Sequence, residues 1–294
     1  MANERKMMVR HLPIRIVNSK LKVKNRDWIM SAVVITITSG KGGVGKTTTT
    51  ANLSTALAAQ GLKVVAIDSD IGLRNLDVVM GLENRIVYDL VDVVEGTCRL
   101  RQAMIRDKRL EELYLIPAAQ SRDKTAVTPG DMIEVCNQLR PDFDFILIDS
   151  PAGIEQGFKN AIAPADRVVI VTTPEVAAVR DADRIIGLIE AEEKGPADLI
   201  LNRLRLDMIK RGDMLHTSDV IDILAINLIG IVPDDESIIV STNKGRPVVM
   251  ENGSMAGQAY RNIARRLTGE DVPFMNLEEG NSFIKRLTKF FKAS

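Results

Sequence analysis

The chain has 294 residues, of which 45% are apolar and 27% are charged, and its formal net charge at pH 7 is zero. This composition is typical of a soluble globular protein, and the neutral charge balance argues against a uniformly basic surface for nucleic acid. No apolar run approaches the length that spans a bilayer, and the two cysteines, Cys98 and Cys136, lack the spacing of a metal site and are expected to be reduced thiols.

The N-terminal segment is basic, with eight Lys or Arg residues and two acids in residues 1–29. It has no long apolar core and is therefore not a secretory signal. It could be a targeting peptide, a disordered arm or leader sequence before a start at Met30. Because its acids and its few serines are unlike a transit peptide, we expect a poorly ordered extension over residues 1–30.

A glycine-rich loop follows the first predicted strand. The β-branched run at residues 33–38 predicts a buried strand, and residues 47–60 predict a helix that ends before Gly61. The loop between them reads G-K-G-G-V-G-K-T-T, which matches the phosphate-loop pattern G-x-x-x-x-G-K-[ST] and adds a lysine inside it. Glycines let backbone N–H groups converge on phosphates, and the following helix directs its positive end at the same place.

The loop predicts a site for a nucleoside triphosphate. Lys46 would reach the β- and γ-phosphates, and the Thr47 hydroxyl would bind Mg²⁺. The alternative is a glycine-rich turn that only joins a strand to a helix. The expected nucleotide-binding residues of the loop are Gly40, Lys41, Gly42, Gly43, Val44, Gly45, Lys46, Thr47 and Thr48.

Strand-like and helix-like segments alternate along the rest of the chain. The further predicted strands are residues 63–68, 113–117, 145–149, 167–173, 199–202 and 227–232, with helices such as 179–193 and 218–224 between them. This alternation predicts the α/β fold of a P-loop NTPase, a doubly wound and mostly parallel sheet with helices on both faces. Ligands then bind at the C-terminal ends of the strands. No repeat or low-complexity linker is present, so we expect one domain over residues 31–270.

Three acids lie at or just after the ends of predicted strands. Asp149 ends an apolar strand, as a Walker B carboxylate does, and would hold Mg²⁺ through a water molecule. Asp68 and Asp70 lie at the end of the second strand, and one of them could orient or deprotonate the attacking water. The alternative is that these acids cap helices or turns, as Asp often does.

The C-terminal tail predicts an amphipathic helix at a membrane surface, joined by a linker within residues 271–294. At 100° per residue its apolar side chains fall within an arc of about 120°, opposite the cations. Aromatic side chains suit the acyl boundary and cations suit anionic headgroups. A terminal helix that packs on the protein core is the alternative. The apolar residues are Phe283, Ile284, Leu287, Phe290 and Phe291, and the cations are Lys285, Arg286, Lys289 and Lys292.

These features resemble the deviant Walker A ATPases, also called the ParA/MinD group. The resemblance covers about residues 31–294 and depends on the lysine-bearing loop, the triad Asp68-Ser69-Asp70 and the stretch D-S-P-A-G-I-E at residues 149–155. Residues 72–77, 179–184 and 211–214 are similar to the branch of the family that places the division site in bacteria and plastids. Residues 47–52 and 180–184 look most like cyanobacterial and plastid members, and the sequence leaves a bacterial or a plastid origin open.

The resemblance implies a role for several residues around the nucleotide. Lys41 would reach across an ATP-dependent homodimer to the nucleotide of the partner subunit, where it would act with Lys46 and Asp70 in catalysis. Asp70 would activate the attacking water. Asn202 would read the edge of the adenine base, with the loop at residues 233–234, namely Pro233 and Asp234.

The resemblance also implies partners and a location. Asp181 and Asp183 would lie on the face that meets MinC-like and MinE-like division regulators. The ATP-bound dimer would bind an anionic membrane, at the cytoplasmic face of the bacterial inner membrane or the stromal face of the plastid inner envelope. The ADP-bound protein would be soluble, and no sequence-specific nucleic acid would bind.

Two other functions are compatible with the loop. One is a ParA-type partition ATPase that binds DNA non-specifically, although DNA requires cations and not a phenylalanine face. The other is an electron-transfer relative of the nitrogenase iron-protein type, which needs paired cysteines that this sequence lacks. We therefore expect an ATPase that uses ATP and Mg²⁺ and whose dimer is switched by hydrolysis.

Overall fold

The computed structural model describes residues 31–195 and 197–277. The N-terminal extension at residues 1–30 lies outside the described residues. So does the predicted membrane helix that includes Phe283 and Lys292. Of the helices that the structure describes, none is long and apolar enough to cross a membrane.

One sheet organises residues 31–195 and 197–277, with its strands in the order β3-β4-β2-β5-β1-β6-β7-β8. Neighbouring strands are parallel except for the antiparallel pair β3 and β4. The doubly wound, mostly parallel sheet is therefore confirmed. The strands are β1 (Val33–Thr38), β2 (Val64–Asp68), β3 (Ile105–Arg106), β4 (Leu113–Ile116), β5 (Phe145–Asp149), β6 (Arg167–Thr172), β7 (Asp198–Leu204) and β8 (Asn227–Pro233).

Helices cover both faces of this sheet, as the alternation predicts. The helix that follows the glycine-rich loop begins at Lys46, one residue earlier than predicted. Short 3-10 turns lie at residues 83–85, 124–126 and 248–250. The helices are α1 (Lys46–Ala58), α2 (Leu76–Met80), α3 (Leu90–Val94), α4 (Leu100–Ala103), α5 (Pro129–Leu139), α6 (Gln156–Ile162), α7 (Val176–Ala191), α8 (Leu206–Arg211), α9 (Thr217–Leu224), α10 (Ser237–Asn243) and α11 (Met255–Leu267).

Helix α1 is buried along nearly its whole length although it is rich in hydroxyl side chains. The hydroxyls of Thr50, Ser54 and Thr55 each donate to the carbonyl four residues earlier, at 3.1, 2.7 and 2.7 Å. Bonds of this kind satisfy a polar group inside an apolar core. The Thr49 hydroxyl also lies 3.3 Å from the hydroxyl of Tyr260 on α11, so the two helices share a polar contact under the loop.

The register of the central strands gathers the predicted acids at one edge of the sheet. Asp149 on β5 lies opposite both Ile37 on β1 and Asp68 on β2. Because all three strands are parallel, their C-terminal ends meet where the loop after β1 begins. Two carboxylates that are 81 positions apart in the chain, from Asp68 to Asp149, thus become neighbours.

The last described residues fold back over α11 and the edge strand β8. The Arg266 guanidinium donates to the carbonyls of Val272, Pro273 and Ile229 at 2.9, 2.9 and 3.0 Å. It also lies 4.3 Å from the ring centroid of Phe274, a cation–π contact. The chain therefore packs against the domain beyond residue 270, and the domain boundary there stays a prediction.

Candidate nucleotide site

The loop between β1 and α1 turns tightly onto the first residue of the helix. Gly45 precedes α1 with φ of 102°, in the left-handed region that favours glycine. A Cβ placed on Gly45 would lie 2.4 Å from Nδ2 of Asn202, too close for any side chain. The backbone N–H groups of the first helical turn are left to face a ligand at the loop.

Lys46 is held inside the loop. Its side chain is buried, and Nζ donates to the Ser39 hydroxyl at 3.0 Å. The same hydroxyl donates to the carbonyl of Lys41 at 2.7 Å, which closes the loop around the lysine. Burial lowers the pKa of Lys46, and the carboxylates of Asp149 and Asp70 counteract that shift. The ammonium group is therefore positioned in advance next to the place where phosphates would lie.

Asp149 lies directly beside this lysine and is fully enclosed. The Thr50 hydroxyl donates to its Oδ1 at 3.1 Å. Burial and the neighbouring Asp68 carboxylate raise the pKa of Asp149, and hydrogen bonds from Thr47 and Thr50 oppose the rise. Two buried carboxylates that lie close together repel each other, and a cation bound beside them would offset that repulsion.

This donor set fits Mg²⁺. Protein sites usually hold Mg²⁺ with one or two carboxylates, a hydroxyl, phosphate oxygens and water. Here Asp149 and Thr47 supply the carboxylate and the hydroxyl, and the Thr47 hydroxyl is near enough to hydrogen-bond to Asp149. Residues 31–195 and 197–277 contain no cluster of three or more His, Cys, Asp or Glu side chains that could bind a metal without phosphate.

Asp68 and Asp70 have different surroundings. Asp68 is fully buried and accepts backbone N–H groups from Asp70 at 3.0 Å and from Asn75 and Leu76 at 3.1 Å each. Burial raises its pKa, and these bonds oppose the rise. Asp68 thus organises the turn after β2 and the start of α2, which is the capping role weighed as the alternative for these acids.

Asp70 is only half-buried, and it is close enough to Lys46 for the two charges to interact. Burial raises its pKa, and the ammonium groups of Lys124 and Lys46 partly offset that effect. Its carboxylate is therefore the more accessible of the pair. Its role with the attacking water stays a prediction.

Asn202 lies against the phosphate loop from the other side. Its Nδ2 donates to the Val44 carbonyl at 2.8 Å, and its Oδ1 is buried without a hydrogen-bond partner among the described residues. The strand is irregular here, because β7 shifts register against β8 and Arg203 has φ of 54°. A buried acceptor without a partner could accept a hydrogen bond from a ligand donor such as an amino group. This geometry is compatible with the adenine-reading role of Asn202, which stays a prediction.

The predicted adenine loop lies at the end of β8. The Asp234 N–H donates to the Leu204 carbonyl at 3.0 Å, which ties this loop to β7. A cleft of about 620 Å³ opens beside Pro233 and Asp234. The structure thus places both residues at the edge of an open cleft, whose lining does not include Asn202.

Lys41 and the predicted partner helix flank the loop. The Lys41 side chain is exposed, in contrast to buried Lys46. Helix α7 packs against the loop so closely that a Cβ on Gly40 would lie 2.3 Å from the Asp181 carbonyl oxygen. Asp181 is half-buried and lies 3.7 Å from Arg184, whereas Asp183 is exposed. The helix with both acids therefore contacts the phosphate loop at Asp181.

Gly40→Ala is expected to destabilise the protein without nucleotide by about 1–3 kcal/mol, because the methyl group must displace the backbone of α7. Gly42→Ala is the matched control, since its Cβ would find only Ala152 Cβ at 3.9 Å, an ordinary contact. Urea unfolding of the two variants provides the comparison. Equal stability of the two variants would contradict the close packing of α7 on the loop.

Sequence reasoning missed Thr50, Ser39 and Lys124 at this site. Thr50 follows Lys46 by one helical turn, a spacing that could have identified it. Ser39 directly precedes the loop pattern. Lys124 comes from a 3-10 turn far from any motif, so no signal in the sequence connects it with Asp70.

Comparison with known proteins finds a nucleotide-binding family. Residues 35–248 match the model of the CobQ/CobB/MinD/ParA nucleotide binding domain. The chain is 56% identical to the septum site-determining protein MinD of Bacillus subtilis over 87% of this chain and 97% of that protein. It is 55% identical to the MinD protein of Synechocystis, with the same coverage of 87% and 97%.

Two solved structures are similar as well. A MinC:MinD cell division complex from Aquifex aeolicus has a chain with 49% identity and a TM-score of 0.76, covering 83% of this chain and 99% of that one. MinD of Pyrococcus horikoshii in complex with Mg-ADP has 31% identity and a TM-score of 0.73, covering 80% of this chain and 96% of that one.

Proposed function

Because the chain belongs to the MinD family of septum site-determining ATPases, within the CobQ/CobB/MinD/ParA nucleotide-binding group, we propose that ATP switches it between a soluble form and a membrane-bound dimer. The protein is an ATPase that helps to place the division site. The observation that carries the switch is the contrast between two loop lysines. Lys46 is buried within its own loop, whereas Lys41 is exposed and available to a second subunit.

The nucleotide is ATP with Mg²⁺. The P. horikoshii relative was solved with Mg-ADP, and the enclosed pair of Asp149 and Thr47 supplies matching donors in this chain. Mg²⁺ would neutralise charge on the β- and γ-phosphates when bound. Lys46 would bind the same phosphates, and Asp70 would orient the attacking water.

Dimerisation follows from the electrostatics of two facing sites. Two triphosphates that approach each other repel, and a lysine from each subunit would offset this repulsion by a charge-assisted contact to the partner's nucleotide. Exposed Lys41 is suited to this role because its backbone carbonyl is fixed by the Ser39 hydroxyl at 2.7 Å while its side chain remains exposed. Loss of the γ-phosphate would remove the contact and release the dimer.

The C-terminal tail converts dimerisation into membrane binding. Its four cations would contribute about 4 kcal/mol at an anionic surface, and partial burial of five apolar side chains adds a few kcal/mol. Ordering a short helix costs part of this free energy. One tail therefore binds weakly, and two tails on one dimer gain avidity of about 10²- to 10⁴-fold.

The dimer would also bind division regulators. The Aquifex relative was solved with MinC, and Asp183 in this chain is exposed on a helix that packs directly on the phosphate loop. A partner on α7 can therefore sense the state of the loop. We propose that MinC-like and MinE-like proteins bind at Asp181 and Asp183 of the membrane-bound dimer.

The cycle is tested by measuring the mass of the protein with ATP or ADP, with and without anionic liposomes. A dimer that appears only with ATP and floats with liposomes supports the proposal. The competing function is a ParA-type ATPase that binds DNA. ATP-dependent retardation of DNA without liposome flotation would favour that function and contradict the membrane cycle.

Lys41→Ala is expected to weaken the ATP-dependent dimer by roughly 100-fold, since two charge-assisted contacts of about 1.5 kcal/mol each are lost. ATP affinity of the monomer should change less than threefold, because Lys46 remains in place. Sedimentation at several concentrations measures the dimer, and Lys108→Ala, another exposed lysine, is the control. A dimer of normal affinity would contradict the role of Lys41 in the partner's site.

A further inference from the structure

A loop of residues 117–128, called here the cover loop, is hydrogen-bonded to two segments beside the predicted nucleotide site, the turn after Asp70 and the helix α6 that follows Asp149. The Gly72 N–H, just after Asp70, donates to the Ala119 carbonyl at 2.8 Å. At the other end, Asn160 Nδ2 on α6 donates to the Val127 carbonyl at 2.6 Å. The cover loop is thus fastened both to the segment after β2 and to the helix that follows Asp149.

The middle of the cover loop has a defined shape. Asp123 Oδ1 accepts the Thr125 N–H at 2.8 Å and the Thr125 hydroxyl at 2.6 Å. These bonds fix the 3-10 turn at residues 124–126, on which Lys124 lies. The backbone from which the Lys124 side chain extends is therefore fixed.

Lys124 and Asp70 border the same small cavity. Its volume is about 20 Å³, enough for one water molecule. Its polar lining residues are Ser69, Asp70, Lys124 and Asn160, and Pro151 and Gly157 also border it. The cavity therefore lies where the cover loop, the turn after β2 and the segment after β5 meet.

The charges that face Asp70 come from three places. Lys46 approaches from α1, Lys124 from the cover loop, and Asp68 from the end of the same strand. Asp68 is occupied by three backbone N–H groups, and Lys46 is shared with Ser39 and Asp149. Lys124 differs from Lys46 in this respect. Among the described residues, no other hydrogen bond or ion pair at the site involves the Lys124 side chain.

We propose that Lys124 is a positioning residue for ATP hydrolysis, whose charge acts across the small cavity on the Asp70 carboxylate and couples it to the cover loop. This inference depends on the proposed role of Asp70. The cover loop is hydrogen-bonded to Gly72 and to Asn160. A shift of the turn after β2 or of α6 would therefore move the loop and Lys124 with it. Lys124 binds neither nucleotide nor Mg²⁺ in this scheme and acts through the carboxylate.

The first test is steady-state hydrolysis by Lys124→Gln in the full-length protein. We expect kcat to fall by roughly tenfold, the scale of a misdirected catalytic group, with KM for ATP and the ATP-dependent dimer unchanged. Lys124→Arg should restore most of the rate because it keeps the charge. Arg122→Gln is the matched control, since it removes a cation of the same loop that pairs with Glu95 at 3.2 Å.

The second test is a double-mutant cycle with Asp70→Ala. If Lys124 acts through Asp70, then adding Lys124→Gln to Asp70→Ala leaves the residual rate of single-turnover hydrolysis unchanged. A further tenfold loss in the double variant, or a normal rate for Lys124→Gln alone, overturns the inference. So does a loss that Lys124→Arg does not restore.

The roles of Asp70 and Lys124 can be contradicted separately. If Asp70→Ala hydrolyses ATP as the unaltered protein does, the proposed role of Asp70 is wrong. If Asp70→Ala is impaired but the cycle shows no coupling, only the role of Lys124 is wrong. Lys124 is exposed, so its removal should leave the melting midpoint unchanged, and Lys124→Met replaces the Gln variant in both tests if the latter does not fold.

Discussion

Asp70→Ala is expected to lower ATP hydrolysis by about 10²- to 10⁴-fold, the usual contribution of a positioned general base. ATP binding and dimerisation should persist, because the loop, Lys46 and Lys41 are intact. The variant should therefore accumulate on anionic liposomes with ATP as a trapped dimer. Phosphate release and liposome flotation, measured on the same samples, check the two halves of this expectation.

Asp68→Ala is the informative comparison, since it removes a carboxylate only two positions away. Its loss leaves three backbone N–H groups without their buried acceptor, so we expect destabilisation of about 2–5 kcal/mol. Comparison of the two variants therefore distinguishes a role in hydrolysis, expected for Asp70, from a role in stability, expected for Asp68. Rapid hydrolysis by a folded Asp70→Ala protein would exclude Asp70 from the mechanism.

Deletion of residues 283–294 is expected to abolish ATP-dependent binding to anionic liposomes. The deletion removes four cations and five apolar side chains of the predicted helix, and with them the avidity of about 10²- to 10⁴-fold that two tails provide. ATP affinity and the ATP-dependent dimer should be retained, because the loop and the sheet are unaffected. Co-sedimentation with liposomes over a range of protein concentrations gives the change in affinity.

The double variant Phe290→Ser, Phe291→Ser offers a milder form of the same test, since it keeps all the cations. Weak binding that depends strongly on salt would remain if charge alone attracts the tail. Loss of binding in low salt would show that the apolar face is needed. Full membrane binding by the truncated protein would instead place the membrane contact elsewhere in the chain.

The sequence alone determined the fold class and the centre of the site. Strand β1, the loop with Lys41 and helix α1 form one continuous stretch, so hydrophobic pattern and glycine spacing suffice to predict them. Strand β5 with Asp149 at its end was predicted with the bounds that the structure shows. Each of these features is a continuous stretch of sequence, so it can be predicted without knowledge of the rest of the fold.

Strand β3, in contrast, cannot be predicted from a local sequence pattern. It has only two residues, too few for an alternation of side chains to be recognised. It forms because β4 offers it an edge to pair with. Asn202, which donates to the Val44 carbonyl, likewise lies where the pairing of β7 with β8 shifts register, an irregularity that no composition rule predicts.

The tertiary structure alone decided which residues meet at the phosphate edge. The residues by themselves left Asp68 and Asp70 as alternatives until the family resemblance favoured Asp70, and the structure adds that three backbone N–H groups engage Asp68. The sequence offered no reason to connect Lys124 with Asp70, which the path of the cover loop brings to one cavity. The physical reason is that periodicity and spacing describe neighbours along the chain, whereas burial and electrostatics depend on neighbours across parallel strands and between loops.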